Sequence, residues 1–316
     1  MHLRILHRTR YRYHGAIDMA QHMAHLRPLN TALQGVLSHE LRIDPEPAAR
    51  SETTDVFGNQ RTFFSLQSNH SMLTVEADSI VQTQAPKPLP ESQPWRSMTW
   101  ERVREHFRYR ARAPFDAASE FLFASPYVPR DDAFTAFARP VFKPGLPALE
   151  AARALMERIH TEFTYDSDST EVNTPALEAL AQRKGVCQDF AHIMLGCLRS
   201  LGLPARYVSG YLLTRPPPGK PRLIGVDASH AWVSLYVPLP VTTIKGAPAG
   251  AWFDFDPTNN RCGWGSPGED YVTLALGRDF VDVSPMRGVI QSGARHTLAV
   301  AVTVAPPEEF EKLESA

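Results

Sequence analysis

The stretch KGVCQDFAHIML, residues 184–195, puts a cysteine two residues after a glycine and at the start of a run with helical apolar spacing. Phe190, Ala191, Met194, Leu195, Leu198 and Leu201 recur at intervals of three and four, and Gly202 and Pro204 close the run. This pattern predicts a helix over about 187–201. Cys187 then occupies the first turn, where unpaired backbone N–H groups and the positive end of the dipole favour a thiolate. Position alone describes a small buried residue equally well. A base and an orienting group beside the sulfur would separate the two readings.

Two strands further along hold residues of that kind. In ASHAWVSLYV (228–237), His230, Trp232, Ser234 and Tyr236 alternate, and in AWFDFDP (251–257), Trp252, Asp254 and Asp256 share one face. An antiparallel hairpin brings the start of the first strand opposite the end of the second. A register pairing His230 with Asp256 and Ser234 with Trp252 sets the facing side chains about 5 Å apart at Cβ. Taken singly, His230 also reads as a polar residue at a strand edge, and Asp256 as a turn former before Pro257.

Working outward, residues 1 to about 90 read as an antiparallel β domain. Segments 3–13, 39–47, 56–66 and 71–81 alternate or end at proline, with a hairpin expected at Gly58-Asn59. The proline-rich QAPKPLPESQPW (84–95) reads as a linker, and 91–145 as irregular chain with short helices. Helices are expected over 146–163 and 174–184, the second capped by Thr174 and stopped by Gly185. Strands follow at 205–213, 230–237 and 251–256. A last strand at 296–304 is grouped with the 146–316 unit, before an acidic tail. The fold class is α+β, and no internal repeat is found.

The 316 residues suffice for a substantial core, and 43% hydrophobic with 21% charged residues is a globular composition. A net charge of −1 provides no general pull toward nucleic acid or anionic membrane. No apolar run approaches the roughly 18 residues of a membrane span, and the first residues lack the pattern of a secretory signal. The three cysteines, Cys187, Cys197 and Cys262, form no CxxC and fit a reducing compartment, most simply the cytoplasm. Nothing in the sequence speaks for or against a homo-oligomer.

KGVCQDFAHIML, ASHAWVSLYV and FDFDPTNN, in that order, resemble the three signature segments of the transglutaminase-like core. Its papain-like Cys, His and Asp match Cys187, His230 and Asp256. LHRTRYRYHGAID (6–18), DVFGNQRTFFSL (55–66) and LTVEADSIV (73–81) resemble the N-terminal domain of bacterial transglutaminase-like cysteine proteases. GRDFVDVSPMRGVI (277–290) with LAVAVTV (298–304) resembles that family's C-terminal segment. The likeness spans nearly the whole chain. It implies an N-terminal β domain, then a papain-like core with a helix on an antiparallel sheet. It also implies a cofactor-free enzyme that acylates Cys187 from an amide of a protein or peptide, with His230 as base and Asp256 holding the imidazole. A peptidase or amidase, a transamidase and a thioester-dependent acyltransferase share this triad; a non-catalytic assembly module keeping the fold is the rival from another class.

Three further residues are candidates. Gln182 stands near the spacing of an oxyanion donor, although a solvated helix residue has the same pattern. Tyr211 is a cleft residue or a packing tyrosine, and Trp232 a wall of the site or a core aromatic. No metal site is expected: His192 lies five residues from Cys187, about 140° around the helix. The acidic run YDSDSTE (165–171) reads as a solvated turn rather than a calcium loop. The connection PLPVTTIKGAPAG (238–250) is longer than the family's usual turn.

Overall fold

A computed structural model describes residues 1–86, 94–112, 115–166, 173–214, 229–239, 249–291 and 295–314. The turn at 216–221, most of the proline-rich linker, most of the acidic run and most of the 238–250 connection lie outside the described residues. Alternation governs the first part of the chain. In β1 (His2–Ile17), Leu3, Ile5, His7 and Thr9 turn inward while Arg8 and Arg10 face solvent. β2 (Ala20–Ala24), β3 (Gln34–Asp44), β4 (Ala49–Thr54), β5 (Gln60–Leu66) and β6 (His70–Thr83) follow, all antiparallel. They form two sheets whose inner faces meet through Tyr13, Ile17, Ile43, Phe64, Leu66, Leu73 and Val75.

The middle of the chain supplies helices. α1 (Trp100–His106) and α2 (Asp132–Ala138) are short, and α3 (Ala148–Glu162) buries Ala152, Leu155, Met156 and Ile159 along one stripe. β7 (Thr164–Tyr165) pairs in parallel with β8 (Lys184–Gly185), on either side of α4 (Ala176–Gln182). α4 differs at both ends from the sequence expectation. Pro175, extended at ψ 138°, is the N-cap in place of Thr174, and Arg183, left-handed at φ 57°, ends the helix before Gly185. α5 (Cys187–Ser200) is apolar nearly all round and accordingly buried, against α2, α3, α4 and the sheet.

The core sheet runs β12-β11-β10-β9-β13, from β9 (Ala205–Leu212), β10 (Ser229–Pro238), β11 (Gly250–Asp256), β12 (Arg261–Trp264) and β13 (Tyr271–Gly277). Ala231, Val233, Leu235, Val237, Phe253 and Phe255 join α5 in the main apolar cluster. Short α6 (Phe280–Val283) precedes β14 (Met286–Ile290), β15 (His296–Ala305) and α7 (Pro307–Glu314). Among the described residues, no helix is long and apolar enough to cross a membrane.

The C-terminal strand does not lie with the 146–316 unit. β15 pairs with β1, Arg4 opposite Ala305 through Tyr13 opposite His296, and β14 pairs with β2. The reason is the long outer edge of β1, whose backbone groups need a partner. Alternation marks 296–304 as a strand without saying which edge it will cover.

The two halves are clasped. Leu3, Ile5, Val81, Val302 and Val304 pack on Tyr211, Val272 and Leu274. Two side-chain amides from the N-terminal half then saturate the free edge of β13. Gln34 donates to Thr273 O (2.8 Å) and accepts from Thr273 N (2.7 Å). Asn59 donates to Leu276 O (2.7 Å) and accepts from Leu276 N (2.7 Å). The Asp55–Asn59 turn also sends Phe57 onto Phe121, which packs on Trp252. Asn59→Ala leaves two buried backbone groups unpaired and is expected to cost about 3 kcal/mol, read as a lower urea midpoint.

Candidate active site

Cys187 owes its position to its neighbours in the sequence. Val186 is the extended N-cap of α5, and Asp189, on the first turn, reaches back so that its Oδ2 accepts from Val186 N at 2.8 Å. The carboxylate fits because Gly185, at φ 156°, has no side chain: a Cβ there would stand 2.6 Å from Asp189 Oδ2. Gly185, Val186 and Asp189 thus fix the turn that carries the half-buried thiol.

His230 enters from β10. Its Nε2 donates to Asp256 Oδ2 at 2.7 Å, and Cys187 is the other hydrogen-bonding and charge partner of the ring. With Nε2 on the carboxylate, Nδ1 is the nitrogen left for sulfur. Burial alone would lower the imidazole's affinity for a proton. The hydrogen bonds to Asp256 and Cys187, reinforced by their negative charges, outweigh that and push its pKa up to about 10.

Asp256 divides its two oxygens between two tasks. Oδ1 accepts from Thr258 N (2.9 Å) and Asn259 N (3.2 Å), closing the turn after β11. Oδ2 accepts from His230, from the Tyr271 hydroxyl (2.6 Å) and from Asn259 Nδ2 (2.7 Å). Burial raises the acid's pKa, and these donors with the charge of His230 more than reverse it, so the carboxyl is held below its ordinary range. Arg261 grips Asp270 at 2.6 and 2.7 Å and lies over the Tyr271 ring, steadying the phenol.

The strand register differs from the expected one by two residues. Ser234 faces Asp254 and Tyr236 faces Trp252, so His230 meets Asp256 across a diagonal. A shift of two leaves every side chain on its face, and the pair still forms. Asp254, the other acid on that face, is engaged elsewhere. It accepts from Trp232 Nε1 at 3.3 Å, and burial, countered by Arg206, Ser234 and Trp232, raises its pKa to about 6.

The remaining candidates fall out differently. Trp232 is fully buried and stacks behind His230, centroids 6.2 Å apart, so it backs the imidazole and does not line an open cleft. Gly210, opposite His230 on β9, makes room for it: a Cβ there would lie 2.5 Å from the indole. Tyr211 points to the domain interface, its hydroxyl bonded to His7 at 2.9 Å, and is a packing residue. Gln182 is exposed and donates to Glu178 one helical turn back, as a solvated helix residue does. His192 is enclosed between Tyr127 and Tyr207 and accepts from Phe280 N. Cys197 is buried in α5, where burial pushes its thiol pKa far up, and Cys262 is exposed on β12.

Sequence reading missed Asn259, Tyr271 and Tyr165. Asn259 had a signal, since Asp-Pro-Thr-Asn is a turn that folds an amide back on its first residue. Tyr271 had none, because it arrives from β13, two strands from β10. Tyr165, 55% exposed on β7, feels the site's charges: after burial, those of Cys187 and Asp189 raise its pKa.

Comparison with known proteins places these features. Residues 3–82 match the bacterial transglutaminase-like N-terminal region, and residues 135–257 match the transglutaminase-like superfamily. Uncharacterised proteins of Mycobacterium bovis and Mycobacterium tuberculosis are 39% identical over 306 residues, covering 96% of this chain and 93% of theirs. One from Mycobacterium leprae is 30% identical over 306 residues, covering 96% of this chain and 98% of its own. A crystal structure from Cytophaga hutchinsonii, described as a "putative cysteine protease", shares the fold at a TM-score of 0.68 and 21% identity, over 97% of this chain and 91% of that one.

Proposed function

This chain belongs to the transglutaminase-like superfamily, with a bacterial transglutaminase-like N-terminal region, and on that premise we propose a cysteine-dependent acyl-transfer enzyme that acts on amide bonds of a protein or peptide. The observation that carries the reading is the His230 imidazole, held with Nε2 2.7 Å from Asp256 Oδ2 and with Cys187 as its other partner. A histidine beside sulfur, oriented by a carboxylate, is the arrangement that activates a cysteine nucleophile.

In the reaction, Cys187 Sγ attacks the amide carbonyl, and the backbone N–H of Cys187 stabilises the oxyanion. The His230 proton passes to the leaving nitrogen as the C–N bond breaks, which leaves a thioester on sulfur and a neutral imidazole. Water or an amine then attacks the thioester. His230 takes the attacking group's proton and, as the C–S bond breaks, the thiolate–imidazolium pair is restored. Asp256 holds the ring so that Nδ1 faces sulfur and stabilises its charged form. Hydrolysis and transamidation differ only in the second nucleophile. The three free thiols support a reducing compartment, the cytoplasm.

The test is intact-protein mass spectrometry of the acid-quenched protein after incubation with peptide amides. An acyl adduct on Cys187, absent from Cys187→Ala, supports the reading; unmodified Cys187 across amide and thioester donors overturns it. Tyr271 acts as a positioning residue through Asp256. Tyr271→Phe removes one buried bond to a carboxylate and is expected to slow acylation about ten-fold with KM little changed. The imidazole titration should move down with it, a shift that a merely structural role would not produce.

A further inference from the structure

A cavity of about 540 Å³ opens at the far end of α5 from the nucleophile, between α1, α2 and the residues that follow Ser200. The 14 residues of α5 separate it from Cys187 by roughly 20 Å. Arg104, Arg108, Arg130, Arg139 and Arg199 line it against a single carboxylate, Glu105. That carboxylate is already taken up by Arg108 (3.7 Å) and Arg110 (2.8 Å). Among the described residues, Arg104, Arg130 and Arg139 have no carboxylate partner.

Capping of α5 does not account for this cluster. The carbonyls of Leu198 and Arg199 accept from Leu201, Leu203 and Gly202 N–H groups, and that of Cys197 accepts from Ser200 Oγ. Arg199 is buried and spends its guanidinium on the carbonyls of Ala205, Phe123 and Arg278 and on Ser125 Oγ, with the charges of Asp279 and Asp282 countering its own, so it forms the floor of the cavity rather than a free charge. Arg104 is held in place too. Its stem lies on Gly202, where a Cβ would come within 2.9 Å of Arg104 Cγ, and its guanidinium sits 4.9 Å over the Trp100 ring. The three remaining like charges, Arg104, Arg130 and Arg139, repel one another around a concave surface unless an anion sits among them.

We propose that this cavity binds a compact oligophosphate anion, remote from the acyl-transfer site. Guanidinium forks match phosphate oxygens bidentately, and a chain of phosphates spans several of them where a single phosphate would not. The volume is in the range of small-molecule sites. The inference does not rest on the enzymatic reading, and its test reads binding alone.

Isothermal titration calorimetry of the full chain with sodium tripolyphosphate, and separately with a nucleoside triphosphate, tests it. At about 50 mM salt each ligand should bind one to one, and raising the salt to about 300 mM should weaken binding several-fold. The second ligand reports whether a base adds to the phosphates. Arg130→Gln with Arg139→Gln, both exposed and outside the apolar cluster, should weaken binding at least about ten-fold while Arg42→Gln on β3 leaves it unchanged. A rise in thermal midpoint with ligand, lost in the double variant, is the parallel readout. No saturable binding at about 1 mM ligand, or equal binding by the double variant, would overturn the proposal.

Discussion

Asp256→Asn is expected to slow acyl-enzyme formation by about four orders of magnitude, the scale seen when a triad loses its orienting carboxylate. The size follows from what Oδ2 does. It accepts from His230, Tyr271 and Asn259, all within 2.7 Å. An amide can present its NH2 there, donor against donors, or its oxygen, which carries no charge to hold the imidazolium. Either way the His230 pKa should fall from about 10 toward the ordinary range, and the thiolate–imidazolium pair reverts to neutral partners. A carbon-labelled imidazole titrated by NMR reads that fall, and single-turnover acylation reads the rate. Retained rate with an unshifted imidazole would remove Asp256 from the proposed mechanism.

The second large effect is on stability in mild acid. His7 is fully buried and uses both ring nitrogens, toward Tyr211 at 2.9 Å and Thr9 at 3.1 Å; burial lowers its pKa to about 4. His192 is enclosed in the core, where burial and then the charge of Arg199 lower its pKa to about 3. A base whose folded pKa is depressed contributes its full stability above the unfolded value, about 6.5, and loses it as pH falls toward the folded value. Between pH 7.5 and 5 each of the two should lose about 2 kcal/mol. His230 works in the opposite sense. Its raised pKa gives stability that is complete below about 6.5 and lost as pH rises toward 10, so it offsets about 1 kcal/mol of the acid loss. Buried His22, lowered to about 4 by burial and then by His70, adds about 2 kcal/mol to the loss, and Asp254, raised by burial to about 6, offsets about 1 kcal/mol. The net expectation is a fall of about 4 kcal/mol, read as a lower urea midpoint at pH 5 than at pH 7.5. His192→Phe should flatten that dependence, and an unchanged slope would contradict the assignment.

The local parts of this protein were legible because short-range patterns determine them. Alternation marked β9, β10 and β11, though not β13, and three-and-four spacing marked α3 and α5. The Gly-Val-Cys turn and the Asp-Pro turn were readable because their glycine, proline and carboxylate act on residues no more than four positions away. Even the wrong register left His230 and Asp256 together, since a slip of two residues keeps both on one face. What escaped was long-range. Tyr271 reaches Asp256 across two strands, β15 crosses back to β1, and Gln34 and Asn59 clasp an edge more than 200 residues away. Gln182, whose spacing fits an oxyanion donor or a solvated helix residue alike, turns to Glu178, a choice that spacing along the chain does not make.

The central claim is that sulfur, imidazole and carboxylate work as one unit, and competition between thiols for iodoacetamide measures it most directly. At about pH 6.5, where an ordinary thiol is almost wholly protonated, Cys187 should label well ahead of exposed Cys262, and His230→Ala should abolish that lead. Labelling confined to Cys262, or a lead at Cys187 that persists without His230, would contradict the account.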